Sequence, residues 1–203
     1  MSGFQAIIFD LDGVLVDSEP LFLNAVNMLL AQEGASSITE EENRNTLLGT
    51  TVEETWRGII QTRHLPHQVP YYIDRYDPIV KQVLKVHLTP QPGVSRLLED
   101  LRQRGIKTAV ASSSLRTWVD LKLSTLGLED SFHAVLGGDD VERGKPDPDI
   151  YLLAAQCLGL SPNKCIAIED SPTGIAAAVA AGTYTIAVRT TSTQGLDIGQ
   201  AHI

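Results

Sequence analysis

Cysteine is nearly missing from these 203 residues: Cys157 and Cys165 are the only two, and neither belongs to a C-x-x-C pair. One conceivable bridge makes no disulfide framework, so the expectation is two reduced, mostly buried thiols in a cytoplasmic protein. Positive charge is also scarce, with 16 Lys and Arg against 25 Asp and Glu and a net charge of −9. That balance argues against sequence-independent binding to nucleic acid, which needs phosphates neutralised by basic side chains. Long apolar runs are missing too. The first one, Ala6 to Phe9, has no basic residues ahead of it and is too short for a signal peptide or a membrane span. There is no internal repeat and no low-complexity tract. What remains, 43% hydrophobic and 20% charged residues, is ordinary globular composition. The length suits one domain, or one with a sizeable insertion.

Short apolar runs, two of them opened by Thr, recur along the chain at Ala6–Phe9, Thr108–Ala111, Ala134–Leu136, Cys165–Ile168 and Thr185–Val188. Such runs fit strands covered on both faces, as in a parallel sheet. Helical patterns lie between them. Asp147-Pro148 and Ser171-Pro172 each read as an N-cap followed by Pro at the first helical position, and Gly159 and Gly182 close those helices. The pattern predicts an open, mostly parallel α/β sheet with helices on both faces. From about Ser18 to Leu88 the rhythm is helical only, and Thr39-Glu40-Glu41-Glu42 reads as a capping box. We expect a core of residues 1–16 and 90–203, with residues 17–89 forming an inserted helical domain hinged near Asp17 and Thr89.

In an open α/β sheet, ligands bind beyond the carboxyl ends of the strands. Asp10 and Asp12 follow the first predicted strand and Ser112-Ser113-Ser114 the second; Lys145 follows the third, and Glu169 and Asp170 the fourth. Four carboxylates in one crevice repel one another by several kcal/mol when partly dry, so a cation is required. Oxygen donors with no nearby His or Cys point to Mg2+. Asp10 and Asp12 are two apart, so they point the same way from an extended chain, and Gly13 lets the chain turn at once. Lys145 offers a point charge for phosphate, and the Ser-rich turn leads into a helix whose first N–H groups suit an anion.

DxDG at 10–13, Ser112, GKPDP around Lys145 and EDS at 169–171 together resemble the four motifs of the haloacid dehalogenase superfamily, in identity, order and spacing, over nearly the whole chain. The closest resemblance is to the phosphatase and phosphomutase branch, which carries a helical cap after the first motif. It implies that Asp10 is the nucleophile on phosphorus, forming an aspartyl-phosphate, and that Asp12 is the proton donor and acceptor. It also implies Mg2+ held by Asp10, the Asp12 carbonyl and Asp170, with Glu169 a further ligand or an anchor behind them, and phosphate bound by Ser112, Ser113 and Lys145. Cap-loop residues Gly49, Thr50 and Thr51 are expected to touch substrate. The β-phosphoglucomutases of this branch carry an Arg and a His where this chain has Val52 and Phe22. A phosphatase acting on a small phosphorylated metabolite, such as a sugar phosphate, is therefore expected. A mutase using Arg44 is the alternative, and a non-catalytic phospho-ligand-binding module a further one. A monomer or weak homodimer with no membrane partner completes the expectation.

Overall fold

In a computed structural model, residues 3–46, 50–190, 193 and 195–203 are described. The apolar runs become β1 (Ala6–Phe9), β2 (Lys107–Ala111), β3 (Ala134–Leu136), β4 (Cys165–Glu169) and β5 (Tyr184–Ala187). All pair in parallel, in the order β3-β2-β1-β4-β5. This is the open α/β sheet expected from the sequence. Phe9 stands opposite Val110 on one side and Ile168 on the other, so β1, β2 and β4 end within one residue of one another. Whatever follows these three strands emerges side by side. The helices among the described residues are α1 (Glu19–Gln32), α2 (Glu40–Thr46), α3 (Val52–Arg63), α4 (Val69–His87), α5 (Val94–Gln103), α6 (Arg116–Leu126), α7 (Asp149–Cys157) and α8 (Pro172–Ala180).

The chain divides into two compact units, residues 1–17 with 89–203 and residues 18–88. The first contains the sheet. Ala154 and Ala155 of α7 and Ala177 and Ala178 of α8 are buried in one core cluster with Ala6, Ile8, Ala109 and Ala167 of the strands. Small side chains on both layers let helix backbone come close to sheet while apolar area is still removed from water. The α7 cap is one residue later than its sequence suggests: Pro148, not Asp147, is the N-cap. At α8 the Ser171 hydroxyl does accept the Gly174 N–H, at 3.1 Å. Cys165 is buried but Cys157, the last residue of α7, is exposed, so the expectation of two buried thiols fails for one of them. The final residues run beside β5, where Ala187 N–H donates to the Ile203 carbonyl and His202 N–H to that of Thr185. None of the described helices is long and apolar enough to cross a membrane.

Among its described residues, the second unit's regular elements are all helices, α1 to α4. Trp56 of α3 stacks on Tyr72 of α4, with centroids 5.3 Å apart and planes 12° from parallel, and meets Tyr76 edge-on. Asn27 of α1 holds Ile38 through both its amide atoms, at 2.9 and 2.7 Å. Thr39 caps α2 by accepting the Glu42 N–H, while the Glu42 carboxylate pairs with Arg63 at 2.6 Å. The Thr39 backbone N–H bonds back to the Glu42 carboxylate and completes the expected capping box, and a second box forms at Thr51 and Glu54.

Candidate active site

Asp10, Asp12, Ser112, Lys145, Glu169 and Asp170 are brought together at the carboxyl ends of β1, β2 and β4, within the first unit. Asp10 is the first residue past β1. Its N–H is fixed by the Ile168 carbonyl at 2.9 Å, which ties it to the neighbouring strand end. Gly13 then turns the chain back with φ +90°, and its N–H reaches the Val16 carbonyl at 2.7 Å. A side chain at Gly13 would overlap the Asp170 carboxylate, so the turn is as tight as the absence of a Cβ permits.

The Lys145 ammonium bridges two carboxylates, Asp10 Oδ1 at 2.6 Å and Glu169 Oε1 at 2.5 Å. It also lies 5.2 Å from the centroid of the Tyr151 ring. Burial opposes the charge on Lys145, but Asp10 and Glu169 outweigh it and raise its pKa. Burial likewise pushes the Asp10 carboxyl well above the usual carboxylate range, against the pull of Lys145. Asp170 is pushed up to about 7, by burial and then by the negative charge of Glu169. Both shifts mark a dry pocket with more negative charge than the one ammonium in contact, Lys145, can offset.

Asp10, Glu169 and Asp170 each offer an oxygen within 4.8 Å of the others. With carboxylate donors only, the cluster suits a hard divalent cation rather than zinc. The three are not equivalent. Glu169 already accepts five hydrogen bonds, from Lys145, the Tyr151 hydroxyl at 2.7 Å, the Asp170 and Ser171 N–H groups and the Ser171 hydroxyl. A carboxylate has about four lone-pair directions, so Glu169 is filled. Asp170 accepts from Thr190 Oγ1 at 3.0 Å. Asp10 and Asp170 retain the capacity to ligate an ion.

Asp12 is held separately. Its Oδ2 accepts from the hydroxyls of Ser112, at 3.2 Å, and Ser114, at 2.9 Å. Its Oδ1 is ion-paired with Lys122 of α6, which also donates to Ser114 Oγ at 3.0 Å. Lys122 is fully buried. Ser113 is exposed at the same turn, just ahead of α6. Thr50 and Thr51 belong to the second unit, and Gly49 lies outside the described residues. The Thr51 hydroxyl serves as the N-cap of α3, and the Thr50 hydroxyl shares a hydrogen bond with Thr55 at 2.8 Å.

Sequence reasoning missed Lys122, Tyr151 and Thr190. Each lies outside the four motifs and reaches the site only through the packing of α6, α7 and the segment after β5. The one signal available for Lys122 was a Lys four residues after Trp118, a helical step that puts both on one buried face.

Comparison with known proteins bears on this arrangement. The family model for haloacid dehalogenase-like hydrolases matches residues 7–188. A phosphorylated carbohydrates phosphatase of Thermotoga maritima is 34% identical over 178 residues, 88% of this chain and 82% of that protein. A β-phosphoglucomutase of Bacillus subtilis is 34% identical over 197 residues, 91% of this chain and 83% of that protein. The crystal structure of CbbY from Rhodobacter sphaeroides in complex with xylulose-(1,5)bisphosphate superposes with a TM-score of 0.89 at 26% identity, covering 98% of this chain and 92% of that one. With motifs, sheet order and relatives in agreement, the chain belongs to the haloacid dehalogenase-like hydrolases, in their phosphoglucomutase- and phosphatase-like branch.

Proposed function

We propose that this protein is a Mg2+-dependent phosphoric monoester hydrolase, acting on a small phosphorylated metabolite, in the first instance a sugar phosphate, through an aspartyl-phosphate at Asp10. One observation carries the reading: a buried Asp10 carboxylate, tied to Lys145 and crowded by Glu169 and Asp170, lies two residues from a second carboxylate bonded to two hydroxyls and an ammonium. The similarity to a carbohydrate phosphatase supports the substrate class.

Asp10 and Asp170 would hold the divalent ion, with Glu169 anchoring Lys145 and the turn after β4. When bound, the ion supplies positive charge against the phosphoryl oxygens. In the first step an Asp10 oxygen attacks phosphorus in line; the new O–P bond forms as the bond to the leaving oxygen breaks, and Asp12 gives that oxygen a proton. In the second, Asp12 accepts a proton from a water attacking the acyl-phosphate, which releases inorganic phosphate and restores Asp10. Lys145 neutralises charge on the phosphoryl group throughout, aided by the N–H and hydroxyl groups at Ser112 and Ser113. All these residues lie in the first unit. In this reading residues 17–89 serve as a cap that selects substrate.

The test is turnover of a panel of sugar phosphates with and without Mg2+, using the wild type and Asp10→Asn. Phosphate release that needs both Mg2+ and Asp10 is the expected result. Borohydride should then convert residue 10 to homoserine when the acyl-phosphate is trapped. Conversion of β-glucose 1-phosphate to glucose 6-phosphate without release would favour the mutase, a reading that the B. subtilis relative supports. No turnover of any phosphomonoester would remove both.

A further inference from the structure

We propose that Lys122 is a positioning residue for the water step: it fixes the orientation of the Asp12 side chain, aimed to take the proton from the water that cleaves the acyl-phosphate. The inference rests on the phosphatase reading above. It starts from a fully buried lysine, a residue almost never found so unless its charge is paired. The ammonium of Lys122 pairs with Asp12 Oδ1 and donates to Ser114 Oγ; Ser114 Oγ donates to the other Asp12 oxygen; and the Ser114 N–H donates to Ser112 Oγ, itself bonded to that same oxygen. Both oxygens of Asp12 are thus fixed from the α6 side, and its side chain keeps 15% exposure. A side chain held at both oxygens has a fixed direction in which to take up a proton. Within the site the same lysine balances charge: four carboxylates set against Lys145 and Lys122 leave two negative charges, which one divalent cation offsets.

The step is explicit. A water oxygen forms a bond to phosphorus as the Asp10 O–P bond breaks. One water proton passes to a carboxylate oxygen of Asp12, which Lys122 holds in place without itself exchanging a proton with the water. Without the pair, Asp12 is free to rotate away from the water, while attack by Asp10 on an ester with a good leaving group is untouched.

The experiment uses p-nitrophenyl phosphate, whose leaving group departs without a proton, so that kcat/KM reports formation of the acyl-phosphate and kcat is free to report its hydrolysis. Lys122→Met preserves the length of the side chain and removes its charge. The expected result is kcat down by roughly tenfold to a hundredfold with kcat/KM within about threefold. A burst of nitrophenol equal to the enzyme concentration, and more borohydride-trapped homoserine at position 10 than in the wild type, should accompany it. In an Asp12→Asn background the same change should add nothing. If Lys122→Met does not fold, Ser114→Ala opens the same ring from an accessible position and should show the same split more weakly. Equal loss of kcat and kcat/KM, with neither burst nor trapped intermediate, would overturn the role of Lys122 and leave the phosphatase reading intact. A wild type inert to p-nitrophenyl phosphate and to every sugar phosphate would overturn the phosphatase reading, and this inference with it.

Discussion

The Asp170 carboxylate occupies the space that a Cβ on Gly13 would need. Two segments 157 positions apart in sequence therefore meet at a point where only hydrogen fits, and this close approach brings Asp170 alongside Asp10. Gly13 adds a second constraint through its φ of +90°, in the region that residues with a side chain rarely enter.

Gly13→Ala is accordingly expected to fail twice. The backbone strain and the collision together cost about 2–4 kcal/mol of stability. The displaced Asp170 should also weaken Mg2+ binding. Thermal unfolding with and without Mg2+ checks this: the variant should melt lower than the wild type and gain less from the metal. A Mg2+-dependent gain equal to that of the wild type would show that Asp170 does not need the space.

Asp10→Asn should stop phosphate release yet leave a folded protein that melts above the metal-free wild type. Burial pushes the pKa of the Asp10 carboxyl well up, so ionising it in the folded protein is unfavourable, a cost that the amide lacks. The amide also keeps an oxygen for Lys145. Unfolding curves in excess chelator decide it, with the order of the two melting temperatures as the readout.

The sheet and most of the site were legible in the sequence for one physical reason. Parallel strands buried on both faces must be apolar at each residue, and the groups that do chemistry must then stand immediately past their ends. Asp10, Asp12, Ser112, Lys145, Glu169 and Asp170 are all placed by that rule. Lys122 and Tyr151 are not, because they come to the site across the flank of a helix, where a lysine looks like solvated surface and a tyrosine like core. The motif names Asp170 as a ligand but leaves Glu169 open between ligand and anchor. Only the five donors around Glu169 separate an anchor from a candidate ligand. Thr51 is expected to touch substrate, and its hydroxyl also closes a capping box with Glu54, three positions on, that the sequence reading did not find.

The raised pKa of Asp170 gives a pH dependence with a definite sign. An unfolded Asp titrates near 3.8 and the folded one near 7, so between these values the folded state holds the extra proton. The stability this confers is fully present below the unfolded value and is lost as pH rises through about 7. The loss is on the order of 2–4 kcal/mol. The lowered pKa values of Glu42, Glu54 and Glu99 act only below pH 5 and do not enter this window. The metal-free protein should therefore melt lower at pH 8 than at pH 5.5. The gain from Mg2+ should be larger at pH 8, where no proton competes for the carboxylate. In Asp170→Asn both differences should shrink, which separates this group from the histidines.

Removing Asp12 tests the buried ion pair through stability alone. In Asp12→Ala the Lys122 ammonium loses its counter-charge while the helix that carries it stays packed, with Trp118 and Val119 buried on the same helix. Breaking such a pair from one side costs about 2–4 kcal/mol, because desolvation of the remaining charge is no longer offset. Asp12 is partly exposed, so the lower half of that range is expected. Adding Lys122→Met to Asp12→Ala removes the stranded charge and should restore most of the loss, making the double variant more stable than the single one. Denaturant unfolding of the four proteins in the cycle gives the coupling directly. Additive effects would mean that the two side chains do not share an interaction in the folded protein.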